Sequence, residues 1–215
     1  MSIKEKNIFN MSTKYGLVNL IKDLNDYGNN IQYDHGYALQ LAARLGRLDM
    51  VKYLIDIGAD IHVLNDYALR WAASKGYLDL IKYLVENGAD IHTENDYALQ
   101  LAAQLGRLDM IKYLVENGAN IHTYDDSVLQ YAALNGHLDM VKYLVENGAN
   151  IHAENNKALK WAAEKGHYDI VEYLKDFNNN KLIEESKEDL NNNNQKPILN
   201  KKEDTVEWIN KIELD

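Results

Sequence analysis

The stretch NDYALRWAASKGYLDLIKYLVENGADIHTE at residues 65–94 returns as NDYALQLAAQLGRLDMIKYLVENGANIHTY at 95–124. A repeat this close, at a fixed spacing of 30 residues, means that one small unit has been copied end to end. Such units stack in a line instead of closing around a single pocket. Gly16, Gly46, Gly76, Gly106, Gly136 and Gly166 form one column, and Gly28, Gly58, Gly88, Gly118 and Gly148 a second. They divide residues 1–178 into six units, at about 5–34, 35–64, 65–94, 95–124, 125–154 and 155–178, followed by a tail at 179–215.

Within a unit the apolar residues recur at helical spacing. In the copy that begins at Asn95, Leu99, Ala102 and Ala103 follow i, i+3, i+4 spacing before Gly106, which predicts a short helix from Tyr97 with Asp96 accepting bonds from its free N–H groups. Leu108, Ile111, Leu114 and Val115 form the apolar stripe of a second helix. Asp109 lies in its first turn, where a carboxylate complements the positive end of the helix dipole, and Gly118 is its stop. Two such helices cannot bury their apolar faces alone, so the copies must stack, and the Ala pairs from Ala42–Ala43 to Ala162–Ala163 allow close approach. The end units diverge as caps: Ser12–Thr13 replaces the Ala pair in the first, and Asn178 takes the place of the second glycine in the sixth.

Composition removes several function classes. The chain has no Cys, so disulfides, Cys-based zinc sites and a cysteine nucleophile are excluded. A net charge of -10 with scattered lysines argues against a phosphate backbone as partner, because nucleic-acid binding requires a basic stripe. The start MSIKEKNIFN lacks the pattern of a signal peptide, and no apolar run approaches the roughly 18 residues of a membrane span, so a cytoplasmic protein is expected, with the nucleus open.

The unit resembles the ankyrin repeat: LQLAAQLGRLDMIKYLVENGAN at 99–120 meets that family's core pattern almost letter for letter, and the likeness covers roughly residues 5–178. It departs from the family in length, with 30 residues against about 33, and in having Tyr97-Ala-Leu-Gln100 where Thr-Pro-Leu-His is usual. The shortening falls in the loop that otherwise forms a β-hairpin finger, so short or absent fingers are expected. The thirty-residue form also looks like the ankyrin proteins of giant amoeba-infecting DNA viruses of the mimivirus type. The resemblance implies an all-α ankyrin-repeat solenoid that binds proteins, with no cofactor, no metal and no small-molecule substrate. A monomer is expected.

Repeated polar residues suggest chemistry only until the stacking is considered. His62, His92, His122 and His152 recur at one position, but packed helices lie roughly 8–10 Å apart, too far for equivalent atoms to converge on an ion held at about 2 Å. They are expected to be structural, bonding loop backbone. The column Asp79, Asp109, Asp139 and Asp169 reads as helix-start carboxylates. Leu41, Trp71, Leu101, Tyr131 and Trp161 share one position and are expected to pack in the core, with their polar groups at a groove edge. Tyr37, Tyr67 and Tyr97 either cover the space left by the shortened loop or present a contact surface. No phosphate-binding loop, zinc-protease motif or catalytic triad is found, so no enzyme is expected.

Variation among the copies is the internal sign of function. The positions that drift are Arg44–Leu45, Ser74–Lys75, Gln104–Leu105, Leu134–Asn135 and Glu164–Lys165 at the end of the first helix, with Leu64, Glu94, Tyr124 and Glu154 in the loops. In the ankyrin family such positions correspond to the concave groove, and Leu45, Leu105, Leu134 and Tyr124 would form an exposed apolar patch for a partner protein. The tail reads as a polar, Asn-rich linker with an amphipathic piece at 203–214 carrying Val206, Trp208, Ile209 and Ile212. Some viral ankyrin proteins carry a C-terminal ubiquitin-ligase-recruiting segment, which makes a substrate-recruiting adaptor the second reading and a passive structural component the third.

Overall fold

Both apolar segments of each copy are helices. The computed structural model describes residues 11–13 and 35–192, so the diverged first unit, apart from 11–13, and the segment at 203–214 lie outside the described residues. The order is α1 (His35–Arg44), α2 (Leu48–Asp56), α3 (Val63–Lys75), α4 (Leu78–Glu86), α5 (Thr93–Gln104), α6 (Leu108–Glu116), α7 (Thr123–Leu134), α8 (Leu138–Glu146), α9 (Ala153–Glu164) and α10 (Tyr168–Asn192). No strand occurs among the described residues, and the connection from Glu86 to Thr93 makes no hairpin. The fold is an all-α repeat solenoid.

The chain divides into two compact units, Met1–Ile170, which holds the stack, and Val171–Asp215, whose described part is the remainder of α10. In the stack, the first helices of successive copies (α1, α3, α5, α7, α9) pack side by side, and each of the first four packs against its own second helix (α2, α4, α6, α8). The Ala pairs make this spacing possible: Ala72, Ala73, Ala102, Ala103, Ala132 and Ala133 have no exposed surface. In α6 the buried stripe is Met110, Ile111 and Leu114, with Leu108 and Val115 only half-buried, so Met110 joins the stripe and the two outer residues lie at its edges.

The two glycine columns serve different needs. At Gly118 φ is +98° and a Cβ would meet nothing within 4 Å, so what is required there is the backbone conformation. It closes α6 through Ala119 N–H to Leu114 O at 2.9 Å and Gly118 N–H to Val115 O at 3.0 Å, the paired bonds of a left-handed helix stop. At Gly106 a Cβ would lie 2.6 Å from the His137 ring of the next copy, so that glycine is also needed for close approach. Where Asn178 replaces the second-column glycine, α10 does not stop and continues to Asn192. The stretch expected to be an Asn-rich linker is thus helical up to that point, because neither Gly nor Pro interrupts it.

Candidate functional site: a groove along the first helices

The first helices α3, α5, α7 and α9 are each entered through a left-handed turn. Leu64–Asp66, Glu94–Asp96, Tyr124–Asp126 and Glu154–Asn156 all have φ between +45° and +62°. L-residues pay roughly 1–2 kcal/mol each in this region, Asn and Asp least, so the turn persists only because other bonds hold it. Arg70 donates through Nη2 to Leu64 O at 2.7 Å and through Nε to Asn65 O at 3.0 Å. The amides of Gln100 and Gln130 donate to Asn95 O (3.0 Å) and Asp125 O (2.7 Å). Thr93 and Thr123 hydroxyls donate to Asn65 O and Asn95 O of the preceding copies, at 3.0 and 2.9 Å.

The last residue of the turn ties the start of its copy to the loop that leads out of it. Asp96 is buried, and its Oδ1 accepts from the backbone N–H of Asn120, 24 residues on, at 3.0 Å and from His92 Nδ1 at the same distance. Asp66 does the same with Asp90 N–H and His62, and Asp126 with Asn150 N–H and His122. This corrects two expectations. Asp96 does not cap its own helix, since its oxygen accepts from the Asn120 N–H at the far end of the same copy and from His92. The histidine rings bond the carboxylate four residues on, not loop backbone, because the left-handed turn brings that carboxylate beneath the ring. His152 makes the same contact to Asn156 Oδ1 at 2.7 Å. The Asp column at helix starts is as expected, with Asp109 Oδ1 accepting from Met110 N–H at 2.9 Å.

The first residue of each turn faces the other way, into a groove. Glu94, Tyr97, Gln100, Tyr124, Ser127, Gln130, Tyr131, Glu154, Lys157 and Trp161 line a depression of about 590 Å³ along α5, α7 and α9. Tyr124 is 61% exposed, its hydroxyl accepting from Asn95 Nδ2 at 2.8 Å. Glu94 is exposed and accepts from Asn65 Nδ2 at 3.1 Å. Tyr131 and Trp161 meet with ring centroids 6.2 Å apart, and Lys157 Nζ lies 4.7 Å from the Trp161 centroid.

The structure separates the expected partner-binding residues into two rows at opposite ends of the first helices. Glu94, Tyr124 and Glu154 lie in the groove; Leu64 continues their row at the copy before and is 62% exposed. Arg44, Leu45, Lys75, Gln104, Leu105, Asn135, Glu164 and Lys165 are exposed at the C-terminal ends and do not line it. Ser74 and Leu134 are only half-buried there, Ser74 with its hydroxyl donating to Trp71 O at 2.9 Å, so Leu134 is a weaker member of the apolar patch than expected. At about 1.5 Å per residue, the right-handed part of α7 from Ser127 to Leu134 puts roughly 10 Å between the rows.

The aromatic stripe was expected to lie in the core and is instead half-buried: Trp71, Tyr131 and Trp161 show one face, and two of them form the groove floor. Of the tyrosines left open, Tyr97 is 40% exposed and lines the groove, whereas Tyr67 is half-buried with its ring centroid 5.8 Å from that of Trp71. Gln100 and Gln130 were missed altogether. The available signal was their place one residue before the aromatic stripe, on the same helical face as Tyr97. Among the described residues no three His, Asp or Glu side chains gather in a way that could hold a metal ion.

Stacked helices with close-packed Ala pairs, glycine-closed ends and a groove on the first helices define a class of repeat protein made for contact with other macromolecules. The chain belongs to the ankyrin-repeat family: the family model for ankyrin repeats in three copies matches residues 62–125 and 99–185, and the model for a single ankyrin repeat matches residues 37–66. Ankyrin repeats generally mediate protein–protein interaction. No curated protein matches the chain.

Proposed function

We propose that the chain is a non-enzymatic scaffold that binds a partner protein along the groove of α5, α7 and α9. The observation that carries this reading is the row Glu94, Tyr124, Glu154: the turn positions that vary most in chemistry are exposed and line one depression with four aromatic rings, Tyr97, Tyr124, Tyr131 and Trp161. Aromatic residues are the side chains that most often dominate the energy of such interfaces. A monomer in the cytoplasm, of viral origin and with a host protein as partner, completes the proposal.

Two alternatives differ in where the partner sits. A substrate-recruiting adaptor would use the chain beyond the sixth copy as a second docking site; the continuation of α10 to Asn192 supplies an ordered start for one. A passive structural component would hold no stoichiometric partner at all. Affinity capture of the tagged chain from its native cell, followed by mass spectrometry, decides among them. A partner lost with Tyr124→Ala and Trp161→Ala supports the groove. One lost with Leu105→Glu and Leu134→Glu alone moves the site to the other end of the first helices. One lost only on truncation at Asn192 favours the adaptor, and no partner in any form favours the passive role.

A further inference from the structure

Two carboxylates and four aromatic rings dominate the lining of the groove. The side-chain amides of Gln100 and Gln130 donate to Asn95 O and Asp125 O, and the Ser127 hydroxyl donates to Thr123 O at 3.2 Å. These bonds turn the serine proton and one N–H of each amide toward the backbone. Glu94 and Glu154 add two carboxylates to the same row, and Tyr97 and Tyr124 add ring faces. Among the described residues, the one cation that lines the groove, Lys157, lies over the Trp161 ring.

A surface of two carboxylates and several aromatic faces complements a group that donates hydrogen bonds, carries positive charge and stacks on rings. Arginine meets all three conditions, with five N–H donors, no acceptor and a planar cation. We infer that the occupant of this groove is an extended, arginine-bearing segment of a partner protein, with one arginine at Glu94, one at Glu154, and the Tyr124 ring between them. The inference rests on the groove being the binding site, as proposed above, and adds the chemistry of what enters it.

The repeat also sets the spacing. Glu94 and Glu154 occupy the same position two copies apart, a separation of about 16–20 Å for helices packed roughly 8–10 Å from one another. An extended strand advances about 3.3 Å per residue, so the arginines stand about five or six positions apart.

Selection from a random dodecapeptide display library on the immobilised full chain tests this. Enrichment of peptides with two arginines at about that spacing is expected. A synthetic peptide of the enriched sequence should lose affinity about tenfold when either arginine is replaced by citrulline, which keeps the shape and removes the charge. The Glu94→Gln/Glu154→Gln variant should lose it similarly while melting like the parent. Enriched peptides without paired cations that still need Tyr124 would overturn the arginine inference and leave the groove reading standing. Enrichment indifferent to Tyr124→Ala, Trp161→Ala and the glutamine variant, or no enrichment, would count against both.

Discussion

Two side chains of the same left-handed turn, separated by one residue, have opposite fates. The first position reads Leu64, Glu94, Tyr124, Glu154, with Leu64 and Tyr124 more than 60% exposed; the third reads Asp66, Asp96, Asp126, Asn156, with the three aspartates no more than 5% exposed. At Asp66, Asp96 and Asp126 the third position ties the start of a copy to the loop that leaves it through a backbone N–H, so an acceptor oxygen is required there. Arg70 grips Leu64 O, and in the next two turns Gln100 and Gln130 hold the carbonyl of the residue that follows, so the turn is held through its backbone while the first side chain stays exposed. The comparison teaches that one turn supplies both a residue fixed by its hydrogen bonds and, two positions before it, an exposed one free to vary.

The largest effect lies outside the turn and calibrates the rest. Leu114→Ala removes a side chain with no exposed surface and should cost about 2–5 kcal/mol by chemical denaturation, through the cavity it leaves. Asp96→Ala comes next. It strips the Asn120 N–H and the His92 ring of their acceptor and should cost about 2–3 kcal/mol. Asp96→Asn should cost less, since Asn156 shows that an amide oxygen still serves the histidine. Equal losses for both variants would break the claim that the oxygen is what matters.

At the first position the sign should reverse. Leu64 holds φ at +52° with no special tolerance for it, so Leu64→Asn should leave the fold intact and stabilise it by about 1 kcal/mol in the same denaturation series. Destabilisation would mean that the leucine packs in a way its exposure hides.

The smallest effect concerns the second helices, which change little from copy to copy. Burial first, and then the carboxylates of Asp56, Glu86 and Glu116 respectively, raise the pKa of Tyr83, Tyr113 and Tyr143 above the ordinary 10.0. Once the pH exceeds about 10 the unfolded chain releases these protons before the folded one does. Their contribution is therefore whole below about pH 10 and is lost as the pH rises through the folded values. Denaturation curves above pH 10 should show a steeper decline for the parent than for a chain with phenylalanine at all three positions.

Much of this was legible in the sequence. The helix pairs, the glycine stops and the buried Ala pairs follow from periodicity, because stacking repeats the same steric demand in every copy. The groove was only half visible. Variation exposed Glu94 and Tyr124, but it could not separate them from Leu105 and Asn135, since both rows drift and only the helix between them sets them apart. The roles of His92 and Asp96 were hidden because they depend on a left-handed turn at Glu94–Asn95–Asp96, and Glu at its start gives no hint of positive φ. The continuation of α10 was hidden in a run of asparagines that composition assigns to a linker.

The most direct test of the division within the turn is to measure thermal unfolding and partner capture on the same preparation of Tyr124→Ala. An unchanged melting temperature with capture abolished is the predicted result, since the ring is exposed and Gln130 holds the turn through Asp125 O. A lowered melting temperature with capture intact would contradict it, and would make Tyr124 a structural residue like Asp126.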